Sequence, residues 1–125
     1  MKDIWYISNS GSVGETSTFQ KWKLLFHFRT GKITVRNLLN GPDEMYNKGR
    51  VFAHTTVYPG SRIGLHMHKG DSETYYILSG TGRYNDNGSI VDVHPGDVYF
   101  CEDGESHFIE ATNEPIEMIA LILYH

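Results

Sequence analysis

Two histidines and a carboxylate lie close together between two glycines in the middle of the chain. His66 and His68 are separated by one residue, and Glu73 follows within the segment bounded by Gly60 and Gly80. Imidazole and carboxylate groups are common ligands of divalent transition metals. The segment therefore predicts part of a metal site.

The geometry of a β-strand explains how the two histidines could bind one ion. Side chains two residues apart on a strand project from the same face and lie ~6.6 Å apart along it. His66 and His68 would share a face, whereas Met67 would point the other way. Two imidazoles at that spacing can converge on one ion at ~2.0–2.2 Å each. A turn over residues 69–72 is expected to return Glu73 beside the histidine strand.

A third histidine, His107, is the candidate for the remaining ligand. It lies in a later strand segment that is also bounded by glycines. Since it must come from a different strand pair, its approach to the other three ligands is expected to depend on closure of a barrel. Three histidines and one carboxylate leave two positions open on a six-coordinate ion, unlike a closed structural zinc site. Such an ion could act as a Lewis acid and as a template for a bidentate oxygen ligand.

Short β-branched and aromatic segments, separated by turn residues, recur along most of the chain. Asp86-Asn87-Gly88 predicts a tight hairpin turn, because Asn-Gly tolerates positive φ. Many short strands at this spacing predict an all-β sandwich or barrel. The predicted strands are Ile33–Leu39, Val51–Tyr58, Ile63–His68, Glu73–Leu78, Gly82–Asn85, Ser89–Val93, Asp97–Cys101, His107–Ala111 and Ile116–Tyr124.

Two segments leave an alternative open. Ile116–Tyr124 is almost continuously apolar, which predicts a central strand covered on both faces, with a short buried helix as the alternative. Phe19–Phe28 is crowded with aromatic residues and lacks a good helix cap, so it is either a strand or a short helix.

Length and composition favour one domain that binds neither nucleic acid nor membrane. The chain has 125 residues, and its 15 acidic and 11 basic residues give a net charge of −4, so no basic surface for nucleic acid is expected. No Lys/Arg run indicates a membrane surface site, and no apolar stretch approaches ~18 residues. The single cysteine, Cys101, cannot form an internal disulfide. We expect a cytoplasmic protein whose partner is a small molecule.

The spacing of the candidate ligands resembles the first motif of the cupin superfamily. That motif consists of Gly, five residues, His-x-His, three or four residues, Glu, six residues and Gly. Gly60, His66, His68, Glu73 and Gly80 occupy its fixed positions. The resemblance in this segment is specific, because all five positions match in type and spacing.

The second cupin motif is matched more loosely. Gly96, Gly104 and His107 fall at the expected separations. Glu102 stands where the family pattern has proline, and Ala111 stands where it has asparagine. These two departures affect the turn and the surroundings of the metal, and they leave the ligand set intact.

The resemblance, which spans residues 51–124, implies a double-stranded β-helix, or jelly-roll barrel, over residues 46–125. Residues 1–45 would supply N-terminal strands that pack on the barrel or at a dimer interface. Small bacterial cupins of one domain often form homodimers. The resemblance also implies one divalent metal ion per chain, with Fe, Mn, Zn, Ni and Co all open. Its ligands, carried over from the family, would be His66, His68, Glu73 and His107.

Two functions are compatible with this resemblance. The first is an enzyme that acts on a small oxygen-rich substrate by dioxygenase, isomerase, lyase or decarboxylase chemistry. The alternative is a binding module without turnover, which recognises a sugar or a carboxylic acid and contains a structural metal. Fold similarity does not choose between them, since cupins include both.

A residue that transfers protons is harder to identify from the sequence. Tyr75 is the first candidate, because alternation places it on the same face as the carboxylate ligand. His54 is the second candidate, with a surface position as its alternative. Tyr99 is expected to be a core aromatic, and Glu110 an exposed side chain. Cys101 is expected to be an inert buried thiol.

Overall fold

The computed structural model describes residues 4–8, 22–27 and 31–125, with side chains from residue 31 onward. These residues form β-strands and one short 3-10 helix, Pro42–Met45. They include no helix long and apolar enough to cross a membrane. The strands are β1 Ile4–Ser8, β2 Trp22–His27, β3 Gly31–Asn37, β4 Gly49–Val57, β5 Arg62–Met67, β6 Asp71–Ser79, β7 Gly82–Asp86, β8 Ser89–Val93, β9 Val98–Cys101, β10 Ser106–Ala111 and β11 Ile116–Tyr124.

The strands form two antiparallel sheets that enclose one core. The larger sheet has the order β1-β2-β3-β4-β11-β6-β9, and the smaller has the order β5-β10-β7-β8. The predicted all-β jelly-roll barrel is confirmed. Its core is built from both sheets and comprises Ile33, Val57, Ile63, Tyr75, Ile77, Tyr84, Val93, Ile109, Ala111, Ile116, Met118 and Ala120.

Strand β6 shows the alternation that positions the candidate site. Glu73, Tyr75 and Ile77 are buried, whereas Tyr76 and Leu78 are exposed. Because side chains alternate between the two faces of a strand, one face of β6 lines the interior. The predicted inward orientation of Tyr75 and Glu73 is therefore confirmed.

Strand β11 is central, as predicted, because it lies between β4 and β6. The alternative of a buried helix is wrong. The prediction that both faces are covered is also wrong. Met118 and Ala120 on one face are buried, but Ile119 and Leu121 on the other are only half-buried. The apolar composition of this strand therefore exceeds what its burial requires.

Two further predictions about local structure can be compared with the fold. Asn87 and Gly88 have φ values of 49° and 107° and connect β7 to β8, which confirms the hairpin. The strand alternative for residues 19–28 is confirmed over Trp22–His27, and the rest of that segment lies outside the described residues.

The division of the chain at residue 45 stays a prediction. Strands β1 and β2 extend the larger sheet, and β3 pairs directly with β4 of the barrel. The side chain of Ile33, on β3, is buried in the barrel core. Residues 31–37 are therefore packed into the same body as the strands that follow.

Candidate metal centre

Three histidines and one glutamate converge in the barrel interior. The ligand atoms of His66, His68, Glu73 and His107 all lie within 4.8 Å of one another. His68, Glu73 and His107 are buried, and His66 is half-buried. The structure therefore brings together the four predicted ligands, and this group could hold a metal ion.

The separations of the four ligand atoms fit a single ion. His107 Nε2 lies 3.0 Å from His66 Nε2, 3.2 Å from His68 Nε2 and 3.1 Å from Glu73 Oε1. His68 Nε2 is 3.1 Å and His66 Nε2 is 3.8 Å from the same oxygen. Two atoms bound at ~2.1 Å to one ion lie ~3.0 Å apart at a right angle and ~3.4 Å apart at the tetrahedral angle. Three of these five separations match the right angle, which is typical of six-coordinate ions, and the 3.2 Å separation lies between the two values.

The sheet topology corrects how the ligands were expected to meet. His107 on β10 lies directly opposite His66 on β5, because these two strands are paired. The expectation that His107 depends on barrel closure is therefore wrong for its approach to His66, although its approach to Glu73 does require the two sheets to enclose one interior. Glu73 does not lie beside the histidine strand, because β6 belongs to the opposite sheet. The turn after His68 carries the chain from one sheet to the other, so the carboxylate reaches the histidines across the interior.

Hydrogen bonds orient the rings of His66 and His68. The Nδ1–H of His66 donates to the carbonyl oxygen of Gly64 at 2.7 Å, and that of His68 donates to Asp71 Oδ1 at 2.7 Å. A carbonyl and a carboxylate can only accept, so the proton resides on Nδ1 in both rings. In the neutral form of each ring, the lone pair of Nε2 therefore points towards the centre, as metal ligation requires.

Tyrosine side chains hold His107 in place. Its Nδ1 lies 2.8 Å from the hydroxyl oxygen of Tyr84. The ring of Tyr75 is stacked on the imidazole, with centroids 5.2 Å apart and planes 13° apart. Tyr84 in turn stacks on Tyr99 at 4.1 Å. His107 is thus fixed by a hydrogen bond and by aromatic packing.

The surroundings keep Glu73 ionised. Burial alone would raise the pKa of its carboxyl, but hydrogen bonds from His107, His66 and His68 hold the pKa well below its usual range. For His68, burial alone would lower the pKa of the imidazole. Its hydrogen bonds to Glu73 and Asp71 more than offset this effect, so the pKa of His68 is raised. Burial lowers the pKa of His107. A charged carboxylate beside a neutral His107 is a suitable donor set for a divalent cation.

The affinity for a divalent metal is expected to fall as the pH is lowered. An imidazole must be neutral to bind a metal, so a proton on His68 competes with the ion. The raised pKa of His68 means that this competition begins above the ordinary value of 6.5. Affinity should decrease by up to about tenfold per pH unit for each proton displaced between about pH 8 and about pH 5. Chelator competition across this range measures it, and a flat profile would contradict ligation by histidine.

The structure places the two candidates for proton transfer in different surroundings. Tyr75 is buried beside the four ligands. His54 lies on the opposite face of β4 from the buried Ala53 and Thr55, and its Nε2 is 2.9 Å from Glu117 Oε1. Alternation along β4 thus directs His54 to the outside of the sheet, so the structure does not bring it to the ligands.

Tyr99 and Cys101 lie where the sequence predicts, whereas Glu110, expected to be exposed, is half-buried. Tyr99 packs against the core, and its hydroxyl donates to Asp97 Oδ2 at 2.7 Å. Glu110 is partly exposed, and its carboxylate lies 3.6 Å from Arg83. Cys101 is buried opposite Glu73 in the sheet, and burial raises the pKa of its thiol to about 12. A thiol that keeps its proton is a poor nucleophile, as expected.

Two residues that orient the ligands, Asp71 and Tyr84, are not singled out by the sequence motifs. The sequence places Asp71 in a turn, although its position three residues after His68 is within reach of that ring. It places Tyr84 in an ordinary strand. Its burial could be predicted from alternation on β7, but its contact with His107 depends on the pairing of β7 with β10. Only the first of these had a signal in the local sequence.

Comparison with known proteins identifies the family. Residues 53–122 match the Cupin domain family. This chain is a cupin. The site described above lies within the matched segment, so the predicted resemblance is confirmed.

Relatives of this cupin include proteins of several functions. It is 46% identical over 94 residues to an oxalate-binding protein of Thermotoga maritima, covering 74% of this chain and 77% of that protein. It is 30% identical over 95 residues to an L-ectoine synthase of Bordetella avium, covering 74% of this chain and 69% of that enzyme. A crystal structure described as a predicted oxalate decarboxylase from T. maritima matches with a TM-score of 0.80 and 40% identity, covering 88% of this chain and 97% of that one.

Proposed function

We propose that this cupin binds one divalent transition metal ion through His66, His68, Glu73 and His107, and that the ion binds a small chelating molecule. The observation that supports this proposal is the convergence of three imidazole Nε2 atoms on one carboxylate oxygen. Each ring also has a partner at Nδ1, and the carboxylate is buried and ionised. Four ligands leave two positions of a six-coordinate ion for two oxygen atoms of a bound molecule.

The charge of this centre favours an anionic ligand. Three neutral imidazoles, one carboxylate and a divalent ion sum to a net charge of about +1. A small dicarboxylate offers two oxygen atoms in chelating geometry together with negative charge. The relative that is 46% identical is named for binding oxalate. We therefore propose oxalate, or a dicarboxylate of similar size, as the ligand class. When bound, the ion would supply Lewis-acid polarisation of the ligand oxygens.

Oxalate is expected to bind only to the metal-loaded protein. Calorimetric titration of oxalate into protein loaded with Mn(II) should show one site per chain, because both carboxylates can chelate one ion. Acetate, which offers a single carboxylate, should bind at least ~10-fold more weakly, a difference of ~1.4 kcal/mol. Protein treated with chelator should show no oxalate binding.

The control for this titration is His68→Ala, which removes a ligand and leaves the outer surface unchanged. Equal binding of oxalate to this variant and to the unmodified protein would contradict a metal-dependent site. Binding of acetate as tightly as oxalate would contradict chelation through two oxygen atoms.

One observation favours an enzyme as the second candidate function. The buried phenol of Tyr75 stacks on His107. Burial, followed by the charge of Glu73, raises the pKa of Tyr75 well above its usual value. This phenol keeps its proton, so it could donate a hydrogen bond but could not act as a base. Formate and carbon dioxide in equal amounts in the titrated sample would establish decarboxylation, whereas unchanged oxalate would favour the binding module.

The homodimer expected from the resemblance stays a prediction. Among the described residues, the outer faces of β6 and β9 carry four exposed apolar side chains. Tyr76 and Val98 are neighbours across the paired strands, with 48% and 61% of their surfaces exposed. Leu78 and Phe100 extend this surface. An exposed apolar surface of this kind is a candidate interface for a second copy of this chain.

A further inference from the structure

We propose that Asp71 is a positioning residue that makes His68 the strongest of the three histidine ligands. This inference depends on the proposed metal site. The observation behind it is a difference in what the three Nδ1 atoms contact. His66 bonds a backbone carbonyl and His107 bonds a phenol, whereas His68 bonds a carboxylate.

The contact between Asp71 and His68 is short and shielded from water. Asp71 Oδ1 lies 2.7 Å from His68 Nδ1, and the two residues are 6% and 2% exposed. Hydrogen bonds to an ionised acceptor are about twice as strong as those between neutral groups. Low exposure further strengthens the interaction, since water does not screen it.

The second oxygen of Asp71 is also fixed. Arg50 Nε lies 3.0 Å from Asp71 Oδ2. Arg50 is near the start of β4 and Asp71 is the first residue of β6, with β11 between these two strands. The ion pair therefore spans the end of β11, where the Tyr124 amide also donates to the carbonyl of Lys48 at 2.8 Å. Contacts at both oxygens restrain the carboxylate beside His68.

This arrangement acts on the metal through His68. A carboxylate that accepts the Nδ1 proton increases the electron density at Nε2 and fixes the ring orientation. Loss of such a partner typically lowers metal affinity by ~10–100-fold. The neutral acceptors of His66 and His107 polarise their rings less. We expect the contribution of Asp71 to exceed that of either neutral partner.

The test compares Co(II) binding in four proteins. These are the unmodified chain, Asp71→Asn, Arg50→Gln and the matched control Asp103→Asn. Asp103 accepts a hydrogen bond at 2.7 Å from the backbone amide of Gly70, in the turn between His68 and Asp71. Unlike Asp71, Asp103 is exposed, and this bond is to the backbone and not to a histidine. Co(II) affinity is measured by chelator competition, ligation by the visible absorption of the bound ion, and folding by the unfolding temperature without metal. If the Asp71→Asn variant does not fold, the Asp71→Ser variant is measured in its place.

Asp71→Asn is expected to bind Co(II) ~10–100-fold more weakly and to shift its absorption. Asp103→Asn should remain within about threefold of the unmodified protein, and Arg50→Gln should lose less affinity than Asp71→Asn. An unchanged affinity in Asp71→Asn would overturn the proposal. Equal losses of Co(II) affinity in Asp71→Asn and Arg50→Gln would also overturn it. Such a result would mean that Asp71 acts through its ion pair with Arg50, which links β4 to β6, and not through His68. Absence of Co(II) binding by the unmodified protein would instead refute the metal site itself.

Discussion

Replacement of His68 by alanine is expected to remove most of the bound metal. His68 is one of four converging ligands, and its Nε2 lies 3.1 Å from Glu73 Oε1 and 3.2 Å from His107 Nε2. The substitution also leaves the buried Asp71 without its imidazole partner. The loss of affinity should exceed the ~10–100-fold caused by removal of an outer hydrogen-bonding partner. Elemental analysis after dialysis, with about one ion per chain expected in the unmodified protein, measures the effect.

The matched control is His94→Ala. The side chain of His94 is 72% exposed and lies 3.6 Å from Asp97, away from the four ligands. Its replacement should leave the metal content unchanged. His66→Ala should lose metal as His68→Ala does. Full retention of metal in both ligand variants would overturn the ligand assignment.

Replacement of Gly80 by alanine is expected to destabilise the fold strongly. Gly80 has a φ of +108°, which L side chains rarely adopt. An added Cβ would also meet the carbonyl oxygen of Pro115 and would approach the Cα of Ile116 to 2.6 Å. Backbone strain costs ~1–3 kcal/mol and overpacking typically costs a further ~1–3 kcal/mol. Chemical denaturation should therefore show a loss of ~2–6 kcal/mol in the free energy of unfolding.

Gly60→Ala separates the two causes. Gly60 closes the other end of the same motif and has a φ of +78°, but an added Cβ there would meet nothing within 4 Å. This variant should show the strain alone, ~1–3 kcal/mol. Equal losses in the two variants would show that the close approach of β11 at Gly80 contributes nothing. The comparison thus tests why a cupin motif ends in glycine at this position.

The sequence predicted the inward-facing residues well because strand alternation is a local property. Glu73, Tyr75 and His107 face the interior, as their positions along the strands require. The pattern of the first cupin motif identified three ligands within a short segment. Residues that are close in sequence and follow a fixed spacing can be recognised without knowledge of the tertiary structure.

The sequence could not predict which sheet each ligand strand joins. His107 and His66 are 41 residues apart in the chain, yet they are direct partners across paired strands. Glu73 is near His68 in the chain, yet it belongs to the opposite sheet. Turn residues indicate that the chain changes direction, but they do not distinguish a hairpin from a crossing between sheets.

Contacts that depend on strand pairing were also outside the reach of sequence patterns. Tyr84 contacts His107 because β7 pairs with β10, and Arg50 reaches Asp71 across β11. His54 was a candidate because a histidine on a strand can face inward, but its alternation with Ala53 and Thr55 directs it outward. The burial of these neighbours decides the orientation, and burial depends on the complete barrel.

The position of a bound metal ion would decide whether these four residues form one metal site. Crystals of the chain grown with Mn(II) or Co(II), measured near the absorption edge of that metal, should show one anomalous peak per chain. This peak should lie within ~2.0–2.3 Å of His66 Nε2, His68 Nε2, His107 Nε2 and Glu73 Oε1. No peak among these four residues, in crystals of protein that binds the metal in solution, would contradict it.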